Sequence, residues 1–327
     1  MKKNRIKRLI VIAMAAVMTA MILAGCGEKK ESIITRVGSL KGPTTMGLAN
    51  MISGEQAKED SLYSFTMETQ ADALLGLMVQ GELDIALVPA NVAAILYKKT
   101  EGGISVIDIN TLGVLYLVSG DDGISSVEDL AGRTIYLTGK GTTPDYVLRY
   151  VLNAYGLTED DVILEYKSEA TEVAAVLAND TGAVGLLPQP FATAACVSNE
   201  SLSVCLDMTK EWDDISSDGS RLVTGVTIAT KDFIENHPDE LKAFLNAQKA
   251  SAEKALSDVS GTAEIIVSLG IVEKAPIAEK ALPACNIVFI AGDEMKTALS
   301  GYLNALYGFD PEAVGGELPG DDFYYFE

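Results

Sequence analysis

The chain of 327 residues has a single histidine, His237, a single tryptophan, Trp212, and only four cysteines. One histidine excludes a His-rich zinc site, and it excludes a Ser-His-Asp triad unless His237 is the base. Aromatic residues make up 6% of the chain, which weakens a reading as a sugar binder. Cations are scarce: 25 Lys and Arg face 46 Asp and Glu, for a formal charge of −21. A general nucleic-acid binder needs a basic face that this balance does not supply. Beyond the first 25 residues no apolar run reaches the length of about 18 expected of a membrane span. What is present suffices for a folded body. Hydrophobic residues are 48% of the chain and charged ones 22%, and the length fits two ordinary domains or one large one.

The N-terminus reads as an address. Lys2, Lys3, Arg5, Lys7 and Arg8 precede an apolar run over residues 9–24, with no acid before Glu28. That is the charged and apolar sequence of an export signal. It ends in Leu23-Ala24-Gly25-Cys26, which resembles the bacterial lipobox. The resemblance implies cleavage before Cys26, a lipid on its sulfur, and a short polar tether over 26–32. The alternative is a retained anchor, for which an apolar run of about 16 residues is slightly short. Loss of residues 1–25 removes five cations and no acid, so the formal charge goes from −21 to −26. Cys196, Cys205 and Cys285 remain, an odd number. Three small core thiols are the simpler reading, and a Cys196–Cys205 bridge is the alternative in an exported protein.

Along the rest of the chain, short apolar strands alternate with helices. Strands are expected at 33–40, 65–69, 83–88, 133–137, 183–187 and 226–229. Helices are expected at 46–53, 71–80, 91–98, 145–155, 171–179 and after the turn Pro188-Gln189-Pro190. The alternation signals an α/β fold with mostly parallel sheets. Later helices are expected at 233–236, at 239–256 after a break at His237-Pro238, at 263–269 and at 294–306. The closing aromatics Phe323-Tyr324-Tyr325-Phe326 read as packed onto the body.

An offset of 99 residues aligns two halves: Lys41-Gly42 falls on Lys140-Gly141, Thr44 on Thr143, Leu87 on Leu186, Pro89 on Pro188 and Ala93 on Ala192. Two coincident turns at one offset are more than turn composition alone produces. Two related lobes follow, not a solenoid. Each half has strand-to-helix turns, at 41–45 and 89–91 and at 139–144 and 188–190. In an open parallel sheet such turns lie at the carboxyl ends of strands, where ligands collect. Helix N-termini offer N–H groups there, and threonine hydroxyls add donors. Recognition of a small polar or anionic group, without metal or cofactor, is the chemistry suggested. Thr44 and Thr143 are expected to face one cleft, with Lys140 the cation that matters most for an anion. Gly139-Lys140-Gly141-Thr142 is not a P-loop, because Thr134 stands where that motif has glycine and Gly141 follows the lysine.

The stretches Ser39-Leu40-Lys41-Gly42-Pro43-Thr44-Thr45-Met46-Gly47-Leu48, Gly81-Glu82-Leu83-Asp84-Ile85-Ala86 through Ala94, and Leu187-Pro188-Gln189-Pro190-Phe191-Ala192-Thr193 resemble ABC-importer substrate-binding lipoproteins. The subgroup is the one that binds sulfonates, taurine, nitrate and thiamine-precursor pyrimidines. The resemblance implies a two-lobed type II periplasmic-binding-protein fold with two hinge crossings, near 114–120 and 222–226. It implies a first lobe of 33–117 plus 225–327 and a second of 118–224. Carried over by position, the ligand cleft is lined by Pro43, Thr44, Thr45, Gln70, Pro89, Asn91, Tyr116, Lys140, Thr142, Thr143, Gln189 and Asn286. The implied partners are a small solute, the transmembrane subunits of an ABC permease, and the membrane through the lipid at Cys26. The implied protein is a monomer on the outer face of the cell membrane, not an enzyme. Thiamine-precursor binders stack their ring on cleft aromatics, and Trp212 in Glu211-Trp212-Asp213-Asp214 reads as packing instead. Two alternatives stay open: a sensor lipoprotein with the same fold, and a pyrimidine-synthase-like enzyme, which needs a histidine in the cleft.

Overall fold

The computed structural model describes residues 33–326; Cys26 and the export signal lie outside the described residues. The chain begins with β1 (Thr35–Leu40), α1 (Pro43–Met46), α2 (Ala49–Gln56), β2 (Tyr63–Glu68), α3 (Ala71–Val79), β3 (Ile85–Pro89), α4 (Ala90–Lys99) and β4 (Ile104–Leu112). A second run follows: β5 (Leu115–Ser119), β6 (Thr134–Thr138), α5 (Thr143–Ala154), β7 (Ile163–Lys167), α6 (Ala170–Asn179), β8 (Val184–Pro188), α7 (Phe191–Ser198), β9 (Ser203–Asp207) and α8 (Met208–Ile215). The last part holds β10 (Val223–Thr230), α9 (Lys231–Asn236), α10 (Pro238–Ser257), α11 (Val259–Ser268), α12 (Ala275–Ala281), β11 (Ile287–Ile290) and α13 (Gly292–Phe309).

The strands form two mixed sheets, ordered β11-β4-β10-β3-β1-β2 and β7-β6-β8-β5-β9. In the first, β1 pairs parallel with β2 and β3, while β10 runs antiparallel between β3 and β4. In the second, β6 pairs parallel with β7 and β8, while β5 runs antiparallel between β8 and β9. The chain changes sheet twice. The first crossing is at Gly113-Val114, between the end of β4 and the start of β5, and the second follows α8 into β10. Gly113 fits its place because a Cβ there would stand 2.2 Å from Thr209 Oγ1 and 2.6 Å from Leu222 Cδ2.

The expected helix at 46–53 is two helices, broken at Gly47 and Leu48. One hydroxyl from α10 holds the break: Ser251 Oγ donates to the Gly47 carbonyl at 2.8 Å and accepts the Met51 N–H at 3.0 Å. Local periodicity cannot report that contact, because its partner lies 200 residues away. The break at His237 falls as expected, with Pro238 opening α10 where a missing N–H is harmless. Phe323 and Tyr324 are buried, and Tyr324 bridges to Val106, so the aromatic tail packs on β4. Cys196, Cys205 and Cys285 are free thiols; Cys285 is buried and the other two are partly so.

Trp212 is fully buried on α8, stacked on Tyr150 of α5 at 4.3 Å and tilted on Tyr302 of α13 at 5.6 Å. α13 therefore leans on helices of the second sheet as well as on β4 and β10. Tyr146 of α5 adds to this contact, donating its hydroxyl to Asp310 Oδ2 at 2.8 Å and stacking on Phe309.

Under α10 lies a buried polar cluster. Asp108 Oδ1 accepts from the Thr227 hydroxyl and from Gln248 Nε2, both at 3.0 Å. Asp108 Oδ2 and Gln248 Oε1 have no protein partner. Burial pushes the Asp108 carboxyl up to about 8, against hydrogen bonds from Thr227 and Gln248 that pull it down. At neutral pH the carboxyl keeps its proton, which spares the fold a buried, unpaired charge.

Candidate ligand cleft

Four strand-to-helix turns stand at the carboxyl ends of β1, β3, β6 and β8, where an open sheet gathers ligands. The twelve residues expected in the cleft are distributed over them unevenly. Pro43 opens α1 after Gly42, whose φ of 141° suits glycine. Thr44 and Thr45 are buried, and both hydroxyls donate to the Leu40 carbonyl, at 2.8 and 2.5 Å. The methyl of Thr44 faces β10: a Cβ on Gly225 would meet Thr44 Cγ2 at 2.5 Å and Asn110 Oδ1 at 2.6 Å. Gln70 is exposed at the start of α3, where its side chain makes no cap. Pro89 ends β3, and Asn91 in the first turn of α4 donates to the Ala313 carbonyl at 3.3 Å.

In the second half, Thr142 is exposed and donates to the Gly139 carbonyl at 2.6 Å. Thr143 contacts the buried Tyr302 hydroxyl. The hydroxyls of Thr44 and Thr143 thus serve different neighbours. Lys140 is exposed, with its ammonium 5.4 Å from the Tyr166 ring centre. Beneath it Asp145 is buried and accepts from Gly141 N–H and Tyr166 Oη at 2.8 Å and from Arg149 Nε at 2.5 Å. This ion-paired carboxylate fixes the shape of the 139–142 turn.

Tyr116, Gln189 and Asn286 come together at the first crossing. The Gln189 N–H donates to the Val114 carbonyl at 2.9 Å, and Asn286 Nδ2 donates to the Gly113 carbonyl at 2.6 Å. Tyr116 Oη donates across to the Ala284 carbonyl at 2.7 Å, and burial raises its pKa well above the ordinary phenol. Gln189 Oε1 accepts from the Thr193 hydroxyl at 2.8 Å, within the first turn of α7. The polar ends of these three side chains are engaged in holding the crossing and α7.

The space for a ligand lies beside these residues. A cavity of about 550 Å³ opens between α6 and α7 of the second sheet and the segment joining α11 to α12 of the first part. That is ample for a small organic molecule. One wall is a face of α7: Pro190, Phe191, Ala194, Ala195, Ser198 and Asn199. Another is a face of α6, with Thr171, Ala174 and Ala178, and the third is Gly270, Ile271, Val272, Glu273 and Ile277. Lys41, from the β1–α1 turn, is the cation of the cavity and Glu273 its acid. The helices begin at this cavity without a side-chain cap on Glu169 or Pro190. The start of α6 carries the acids Glu169 and Glu172, and at α7 Gln189 Oε1 accepts the Thr193 N–H at 3.4 Å, so Lys41 is the positive group on which an anionic head would rely. A second hollow, of about 430 Å³, is lined by Lys242, Asn246 and Lys249 of α10, by Phe289, by Ala291, Gly292 and Asp293 where β11 turns into α13, and by the tail residues Tyr325 and Phe326; it includes none of the four turns after β1, β3, β6 and β8.

Sequence reasoning missed the wall at 270–277 entirely, because it carries no motif. Phe191 was legible as a large aromatic in a turn stretch, and it is 37% exposed at the cavity. Lys41 was legible as the partner of Lys140 across the offset. His237 packs on Phe233, with ring centres 5.5 Å apart, and lines neither cavity. Among the described residues, no group of three or more His, Cys, Asp or Glu is placed to hold a metal, and no helix is long and apolar enough to cross a membrane.

Residues 102–259 match the family described as NMT1/THI5 like. The chain is also similar to solved structures. One is an ABC transporter protein from Parabacteroides distasonis, 26% identical over 90% of this chain and 99% of that one, with a TM-score of 0.77. Another is the periplasmic aliphatic sulphonate binding protein SsuA from Escherichia coli, 16% identical over 89% and 92%, with a TM-score of 0.70. A third is a putative sulfonate ABC transporter periplasmic sulfonate-binding protein from Methylobacillus flagellatus, 15% identical over 85% and 86%, with a TM-score of 0.60. These likenesses bear out the resemblance carried by the turns, and the fold is the two-lobed type II periplasmic-binding-protein fold. The NMT1/THI5-like segment includes the whole second sheet and the α6 and α7 walls of the cavity. Lys41 and the wall at 270–277 lie outside it.

Proposed function

We propose that the chain is an extracytoplasmic solute-binding lipoprotein that takes a small organic anion and delivers it to an ABC importer. The observation that carries this reading is the cavity between the two parts of the fold, bordered by the turns after β1 and β8, with Lys41 and the polar Thr171, Ser198 and Asn199 for an anionic head. The protein is strongly acidic, so it gives an anion no help at long range, and attraction comes from these local groups. The sulfonate binders among its structural relatives support the choice of a sulfonate or similar head. None of the twelve residues expected in the cleft lines this cavity; Gln189 adjoins its Pro190, and Pro43, Thr44 and Thr45 follow its Lys41 in the same turn. Lobes at 33–117 plus 225–327 and at 118–224 close on it. The lipid at Cys26 keeps the protein beside its permease, and no turnover is expected.

A thermal-shift screen tests the binding. Alkanesulfonates, taurine, nitrate and pyrimidine phosphates, each at millimolar concentration, should include at least one that raises the melting temperature by several degrees, because a ligand of the folded state stabilises it. No shift with any anion, or an equal shift with matched organic cations, overturns the reading. For the anchor, Cys26→Ala should release the protein from the membrane fraction. Unchanged retention with the N-terminus uncleaved counts against lipidation.

A further inference from the structure

Resting on that reading of the cavity, we propose that Ala178 and Ala194 are its specificity-determining residues, and that they select a solute with an extended apolar body over a compact one. The offset of 99 residues carries the comparison. The cavity is walled by Ala174 and Ala178 on α6 and by Ala194 and Ala195 on α7. At the equivalent places on α3 and α4 the first half has Leu75, Val79, Ile95 and Leu96. In the first half Leu75 and Leu96 are buried, Ile95 is half-buried and Val79 is exposed, so large side chains occupy the places where the second half has four alanines, three of them at least partly packed. Hollowing an apolar surface costs stability through lost packing, so an occupant of the same chemistry restores it.

Length follows from the wall. The α7 face reaches from Phe191 to Asn199, eight residues on, which is about 12 Å along a helix. That accommodates a chain of several methylenes or a flat ring system beyond the head. The charged residues Lys41 and Glu273 and the polar Thr171, Ser198 and Asn199 stand around this apolar strip, and Lys41 is the complement of an anionic head. The solute class is an amphipathic organic anion, with an anionic head and an apolar body.

Calorimetry on the purified chain with ethanesulfonate, butanesulfonate, hexanesulfonate and octanesulfonate is the test. In the parent, each added methylene should tighten binding about fourfold until the strip is covered. Ala194→Ile and Ala178→Val put the residue of the first half into the second. Each should leave ethanesulfonate within twofold of the parent and weaken octanesulfonate tenfold or more. Ala178 is exposed, so its variant decides the matter if Ala194→Ile melts early. Ethanesulfonate bound with no gain from length, or variants that bind octanesulfonate as the parent does, overturns the selection by the two alanines and leaves the site standing. No binding by any member overturns the site itself and the selection with it.

Discussion

The two halves of the molecule share one plan and differ in what fills it. Adding 99 to the bounds of β3 gives those of β8, and β4 and β9 begin at the same place, at Ile104 and Ser203. The sheets agree as well: β2-β1-β3-β10-β4 in one corresponds to β7-β6-β8-β5-β9 in the other. In each, the reversed strand is the one that enters from the other half, β10 after α8 and β5 after β4. Yet Gly38 on β1 corresponds to Leu137 on β6, Asp108 on β4 to Asp207 on β9, and Lys41 to Lys140. Topology is repeated, while packing, charge and openness are set separately in each half.

The largest effect should come from Leu137, which is fully buried. Leu137→Ala is expected to remove about 2–5 kcal/mol from the free energy of unfolding in urea. Its counterpart Gly38 has the opposite requirement, since a Cβ there would meet Leu83 Cδ1 at 2.5 Å and Leu74 Cδ2 at 2.8 Å. Both substitutions being neutral would break the comparison.

Asp108 comes next. Its carboxyl holds its proton to about pH 8 in the folded state, whereas an unfolded aspartate releases it near pH 4. Between those limits the folded state binds more protons, so stability falls as pH rises through the window, by on the order of 1 kcal/mol per unit. Asp108→Asn supplies a permanent donor and should flatten that slope, as read from urea melts at pH 5, 6, 7 and 8. An unchanged slope removes Asp108 as its cause. Gly38→Ala should follow, at roughly 1–3 kcal/mol from overpacking. The smallest effect belongs to Asp207, whose Oδ1 accepts the Thr209 N–H at 2.9 Å as the N-cap of α8. Asp207→Ala is expected to cost about 1 kcal/mol. A loss at Asp207 as large as that at Leu137 would mean the acid does more than cap.

Much of this plan was legible in the chain. Apolar spacing at Leu74, Leu75 and Met78 marked α3, and Gly81, with φ 71°, marked its end. The coincident turns at one offset gave the repeat and the ligand-facing edge. The break at Gly47 was not legible, because it depends on Ser251 of a distant helix. Nor was it legible that Thr44, Thr45 and Thr142 turn their hydroxyls back to nearby carbonyls, since the same turn chemistry serves a cap or a ligand equally well. The cavity was invisible for a related reason: alanines on α6 and α7 read as ordinary helix residues until the facing segment at 270–277 is in place.

The two lysines decide the cleft most directly. Lys41 lines the cavity between the two parts, while Lys140 lies over the Tyr166 ring outside it. Calorimetry with hexanesulfonate on the parent, Lys41→Met and Lys140→Met separates them. Loss of a charge-assisted contact, worth on the order of 1.5–3 kcal/mol, should weaken binding by Lys41→Met roughly tenfold or more, with Lys140→Met within twofold of the parent. Undiminished binding by Lys41→Met together with a tenfold loss in Lys140→Met would contradict the cavity as the ligand site and return it to the turn at 139–142.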